Sequence, residues 1–107
     1  IYRKKNQAVE EILVKGMPLG AMHNFPYAVR ENHLDKGDTI LLLSDGLPEL
    51  MNDNNEMYGY DRIKTEYQSV GEKEPEEIVN HLKNSASEWA NGKDPDDDVT
   101  FVVIKVK

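Results

Sequence analysis

Leu34-Asp35-Lys36-Gly37-Asp38-Thr39-Ile40-Leu41-Leu42-Leu43-Ser44-Asp45-Gly46-Leu47-Pro48-Glu49 is the stretch whose reading decides the fold. Its centre, Thr39 to Leu43, is an apolar run closed on one side by the turn-forming Asp35-Lys36-Gly37-Asp38 and on the other by Ser44-Asp45-Gly46. The run is too short for a typical helix, so it predicts a strand, buried on both faces. A second β-branched and aromatic run, Thr100 to Val106, ends the sequence as another buried strand, and Asp94-Pro95-Asp96-Asp97-Asp98 directly precedes it. Antiparallel pairing of the two runs would bring the end of one beside the start of the other. Asp45 would then converge on the Asp96 to Asp98 group.

Outward from this pair the elements are less regular. Ile1 to Arg3 is followed by a turn at Lys4 to Gln7. Ala8 to Val14 then reads as a strand that forms a hairpin with whatever precedes Ile1. Gly16, Pro18 and Gly20 mark a loop, Tyr27 to Leu34 is a weaker strand, and Leu47 to Met51 suits a short helical turn. Tyr60, Ile63, Tyr67 and Val70 recur at helical spacing and predict a helix from Tyr60 to Ser69. A longer helix runs from Pro75 to Ala90, with Pro75 in its first turn, Glu76 and Glu77 at its positive end and Gly92 past its exit. Strands, then two helices, then a closing strand make the class α+β.

Composition narrows the function. The 107 residues hold 38% hydrophobic side chains, enough for one core. A net charge of −7 argues against binding to nucleic acid or to an anionic membrane. The longest aliphatic run, Ile40 to Leu43, is far too short to span a bilayer, and no signal-peptide pattern opens the chain. With no cysteine there is no disulfide, thiolate metal site or cysteine nucleophile. These features suit a cytoplasmic acidic domain.

Converging carboxylates require a counter-charge, since two unit charges about 4 Å apart repel by about 4 kcal/mol at an effective dielectric near 20. Hard oxygen ligands suit Mg²⁺ or Mn²⁺, which polarise phosphoryl oxygens and activate bound water. The same residues also suit a plain reading: an Asp-Gly after a strand is an ordinary turn, and an acidic run is an ordinary solvated loop. The acidic run is not an EF-hand loop, because Lys105 stands where the twelfth-position Glu belongs. His23, His33 and His81 lack ligand spacing, Ser44 lacks a nucleophile elbow, and Gly16 to Gly20 lacks the Lys of a phosphate loop. Trp89 reads as core and Glu49 as facing water.

Four segments in order nevertheless resemble one family. Gly16-Met17-Pro18-Leu19-Gly20 is similar to a G-x-P-L-G motif. Leu34 to Glu49 is similar to L-x-x-G-D-x-L-L-L-x-[ST]-D-G-x-x-E. Met57-Tyr58-Gly59-Tyr60-Asp61-Arg62-Ile63 is similar to F-G-x-E-R-L, with Tyr for Phe and Asp for Glu. Asp97-Asp98-Val99-Thr100 is similar to D-D-x-T. Together they resemble the C-terminal half of the PPM (type 2C-like) serine/threonine phosphatases, in the SpoIIE/RsbU branch.

The resemblance implies part of a two-sheet sandwich flanked by helices, with the N-terminal half of the domain absent. It implies a two-metal centre of Mn²⁺ or Mg²⁺ whose activated water hydrolyses phosphoserine or phosphothreonine. Asp45 and Asp97 match metal-ligand aspartates, Asp98 matches the adjacent position, and Gly46 and Thr100 support them. Other ligands, including an Asp-Gly motif, come from the family's first half. The implied substrate is a regulatory phosphoprotein such as an anti-sigma-factor antagonist, in a bacterium, with membrane tethering left to upstream segments. The alternative is a non-catalytic phosphatase-like interaction module. As a fragment, the chain is expected to lack activity and to form homo-oligomers through uncovered strands and apolar faces.

Overall fold

A computed structural model describes residues 1–107. It is α+β: β1 (Tyr2–Arg3), β2 (Ala8–Val9), β3 (Thr39–Leu43), α1 (Tyr60–Val70), α2 (Pro75–Trp89) and β4 (Phe101–Lys105). The strands form one antiparallel sheet in the order β2-β1-β3-β4. The central pair, β3 and β4, is matched over its whole length, from Thr39 opposite Lys105 to Leu43 opposite Phe101. Both helices predicted from periodicity are present, α1 one residue longer than expected and α2 ending at Trp89 with Ala90 as its cap.

Both helices lie on one face of the sheet. Leu41, Phe101 and Val103 point to that face and pack against Tyr2, Tyr67, Val70, Ile78 and Leu82. A second cluster of Leu47, Leu50, Tyr58, Ile63 and Ala90 adjoins the first, and Leu41 and Phe101 touch both. Within this core the Thr39 hydroxyl donates to the Gly71 carbonyl at 3.0 Å and lies 2.7 Å from the Tyr67 hydroxyl, so its burial leaves no polar group unpaired. Lys105 ties the turn between the helices to β4, donating to the Glu72 carbonyl at 2.9 Å and the Glu74 carboxylate at 3.0 Å.

The strand expectations need three corrections. First, β3 and β4 are not buried on both faces: Leu42 is 56% exposed, Val102 50% and Ile104 47%. These side chains alternate to the face without helices, and only one sheet is present to cover anything. Second, the strand beginning at Ala8 stops at Val9, and its hairpin partner is Tyr2–Arg3 rather than a segment before Ile1. A ladder lasts only as long as its partner, and β1 offers two residues. Third, residues 27–34 form no strand because no strand is paired with them; Val29 is left 79% exposed.

The turn before β3 is as expected, with the Asp38 amide donating to the Asp35 carbonyl at 3.0 Å and Gly37 at φ +94°. Its distinctive member is Asp38, whose carboxylate is fully buried. It accepts from the Lys4 amide at 3.0 Å, the Asp35 amide at 2.9 Å and the Arg3 guanidinium at 3.2 Å, locking β1 beside β3. Burial alone would raise its pKa. The Asp35 and Lys4 amides and the Arg3 charge outweigh burial and hold the pKa below the ordinary 3.8.

With the folded pKa depressed, Asp38 contributes stability above the unfolded value and loses it as pH falls through the folded one. Chemical denaturation should therefore show stability declining below about pH 4. Asp38→Asn should cost on the order of 2–3 kcal/mol at pH 7 and flatten that acid-side decline.

Candidate functional site

The site is built where β3 ends and β4 begins. One step past Leu43 and Phe101 the ladder continues: the Ser44 amide donates to the Thr100 carbonyl at 2.9 Å. The Ser44 hydroxyl closes the same gap. It accepts from the Thr100 amide at 3.1 Å and donates to the Asp98 carbonyl at 3.3 Å. Two residues further along this register, Gly46 lies against Asp98. A Cβ at position 46 would stand 2.1 Å from the Asp98 carbonyl oxygen, so only glycine permits this approach.

Asp45 leaves the end of β3 exposed to solvent, and its carbonyl accepts from the Glu49 amide at 3.1 Å in the turn that follows. Asp97 is exposed and its carboxylate accepts from the Asp98 amide at 2.8 Å. Asp98 is exposed as a side chain and is held through its carbonyl by Ser44. Thr100 takes part through its backbone alone. Gly46, Glu49, Asp96 and Asp97 line one cavity of about 200 Å³, which Asp45 and Asp98 do not line. Glu49 is exposed, as expected, yet stands on the rim of that cavity.

The oxygen donors have the chemistry for a hard divalent cation, but their number does not suffice. Nowhere in the chain do three or more His, Asp or Glu side chains gather closely enough to hold a metal ion. The residues of this chain alone do not complete a coordination shell.

Ser44 has a role that sequence reasoning missed. Without a nucleophile motif it reads as an unremarked residue, although a hydroxyl at a strand end is a recurrent partner for backbone groups. Trp89 is half-buried rather than fully enclosed. Its indole nitrogen donates to the Leu50 carbonyl at 3.0 Å, and the Arg62 guanidinium lies over its ring, 4.1 Å from the centroid. His81 pairs at 2.7 Å with Glu66 between the two helices, remote from the acidic loop in the chain order and in its contacts.

Comparison with known proteins identifies the class. The model of the family described as "Stage II sporulation protein E (SpoIIE)" matches residues 1–107, and the chain belongs to that family. It is 36% identical over 53 residues to the phosphoserine phosphatase RsbU of Bacillus subtilis, covering 50% of this chain and 16% of that protein. It is 24% identical over 107 residues to the stage II sporulation protein E of the same organism, covering 98% of this chain and 12% of that protein. The chain thus spans less than a fifth of the length of either relative. No solved structure matches it.

Gly46→Ala should force the two strand ends apart at a cost of about 1–3 kcal/mol, read as a lowered denaturation midpoint. Ser44→Ala should cost about 1 kcal/mol, with Ser44→Thr recovering most of it because the hydroxyl is retained.

Proposed function

We propose that this chain forms part of a protein serine/threonine phosphatase that depends on Mn²⁺ or Mg²⁺. The observation that carries the reading is the junction of two strand ends, bearing Asp45 and Asp97-Asp98, in a SpoIIE-family chain. Asp45 and Asp97 supply part of the coordination shell, with Asp98 beside them, and donors outside these residues complete it. Gly46 lets the two ends approach, and the Thr100 backbone ties them through Ser44. The uncovered sheet face, with Leu42, Val102 and Ile104, is the surface on which the second sheet of a sandwich packs. The substrate is a phosphorylated regulatory protein, of which an anti-sigma-factor antagonist is the type the family resemblance favours, and the setting is cytoplasmic. The alternative is a phosphatase-like module that binds a partner without turnover; the retained Asp45 and Asp97 favour the enzyme, and lack of aspartates at the family's Asp-Gly position would favour the module.

The two readings separate in an assay of the protein at its full natural length. A phosphatase releases phosphate from a phosphoserine peptide in Mn²⁺, stops in a chelator, and loses at least about 100-fold in kcat/KM on Asp97→Asn. A module that only binds its partner releases none under any of these conditions.

For residues 1–107 alone we expect no turnover, because the shell is incomplete, and self-association through the uncovered aliphatic face. Sedimentation velocity should show dimers or larger species, since buried apolar area is not screened by salt whereas the repulsion of a −7 chain is. A strict monomer at high concentration would contradict this.

A further inference from the structure

Between the Asp45 turn and α1 lies a small hairpin whose base, Leu50 and Tyr58, is core and whose outer part, Met51 to Met57, belongs neither to the core nor to the candidate metal ligands. Met51 and Met57 pair across it in an antiparallel bridge, and both side chains are exposed, 37% and 55%. Exposure of this kind often marks a frayed loop, but this hairpin is framed at both ends. At its base the Leu50 carbonyl accepts from the Tyr58 amide at 2.8 Å and from the Trp89 indole at 3.0 Å. In its turn the Asn52 side-chain oxygen accepts from the Asn54 and Glu56 amides, each at 2.9 Å. At its tip Asp53 accepts from Asn91 at 2.9 Å and pairs with Lys93, so the hairpin is fastened to the loop that carries Asp94 to Asp98. The Lys93 ammonium and the Asn91 amide hold the Asp53 carboxyl below the ordinary carboxylate range, in keeping with that contact.

The hairpin and the acidic loop are therefore two walls of one cleft. Leu50, Met51 and Met57 from the hairpin and Pro95, Asp96 and Asp97 from the acidic loop line the cavity described above, together with Gly46 and Glu49. No Lys or Arg lines it. Methionine suits such a wall because its unbranched, polarisable side chain adapts to varied apolar partners. A cleft lined by apolar side chains and carboxylates complements a polypeptide that carries an aliphatic or aromatic side chain with a Lys or Arg nearby.

We propose that the Met51–Met57 hairpin is a substrate subsite, which receives an apolar residue next to the phosphorylated position while Glu49 and Asp96 face a basic residue beside it. The inference rests on the phosphatase reading and adds the class of sequence the site prefers.

The test uses the protein at full natural length and three phosphoserine peptides: one with Leu and Arg flanking the phosphoserine, one with Leu replaced by Ala, and one with Arg replaced by Glu. The expected result is a loss of about tenfold in kcat/KM for each replacement, carried mainly by KM. In Met51→Ser/Met57→Ser, shown to be folded by circular dichroism, discrimination between the Leu and Ala peptides should collapse towards onefold. Labelled methionine methyl signals assigned to Met51 and Met57 should shift with the Leu peptide and less with the Ala peptide. Equal turnover of all three peptides, or unchanged discrimination in the double variant, overturns the subsite and leaves the phosphatase reading standing. If no phosphopeptide is hydrolysed, the phosphatase reading fails and the subsite falls with it.

Discussion

The antiparallel ladder between Thr39–Leu43 and Phe101–Lys105 is the constraint on which the rest depends. It joins segments far apart in the chain, and a shift of one residue would turn every side chain to the opposite face. In the observed register, Leu41 and Phe101 face the helices and close both apolar clusters. The same register places Ser44 opposite Thr100 and brings Gly46 against Asp98, so core packing and the acidic junction are consequences of one alignment.

The two ends of β3 show how environment assigns different work to the same functional group. Before the strand, Asp38 is buried and receives hydrogen bonds from two backbone amides and a guanidinium. Both of its oxygens are engaged, one by the Lys4 amide and the other by the Asp35 amide and Arg3, so its work is to hold β1 and the turn in place. After the strand, Asp45 is exposed, and Asp97 across the junction uses its carboxylate only on the neighbouring Asp98 amide. Carboxylates with free oxygens at a sheet edge remain available for chemistry. The distinction follows from which oxygens are already satisfied, not from residue type.

Packing is as one-sided as the polar chemistry. The helices cover one face of the sheet, while Leu42, Val102 and Ile104 on the other meet solvent. Aliphatic side chains on both faces are the pattern of a strand buried from both sides, which is why the sequence reads that way. That sequence pattern reports the surroundings to which the strand is suited, and a single sheet with helices on one side provides half of them. The chain belongs to a family whose curated relatives are several times longer, and the apolar excess on this face is in keeping with that difference in length.

Local chemistry alone was sufficient for the elements whose stabilising contacts are near in sequence. The apolar period of Tyr60, Ile63, Tyr67 and Val70, and Pro75 with Glu76 and Glu77 at a helix start, specify α1 and α2 because helical hydrogen bonds close within a few residues. The Asp35 to Asp38 turn was legible for the same reason, and the central strands through the turn residues that bound their short apolar runs, although their ladder joins distant segments. Strand length was not legible: Ala8 to Val14 has strand composition, but only Ala8–Val9 finds a partner. Asp45, Gly46, Asp97, Asp98 and Thr100 stood out as acids and small residues flanking strands. That Ser44 joins the two ends, that Asp38 is a buried clamp, and that Met51 and Met57 line the same cavity as Asp96 and Asp97 were decided only by tertiary structure. Each of those roles depends on groups more than thirty residues away, whose position no local spacing encodes.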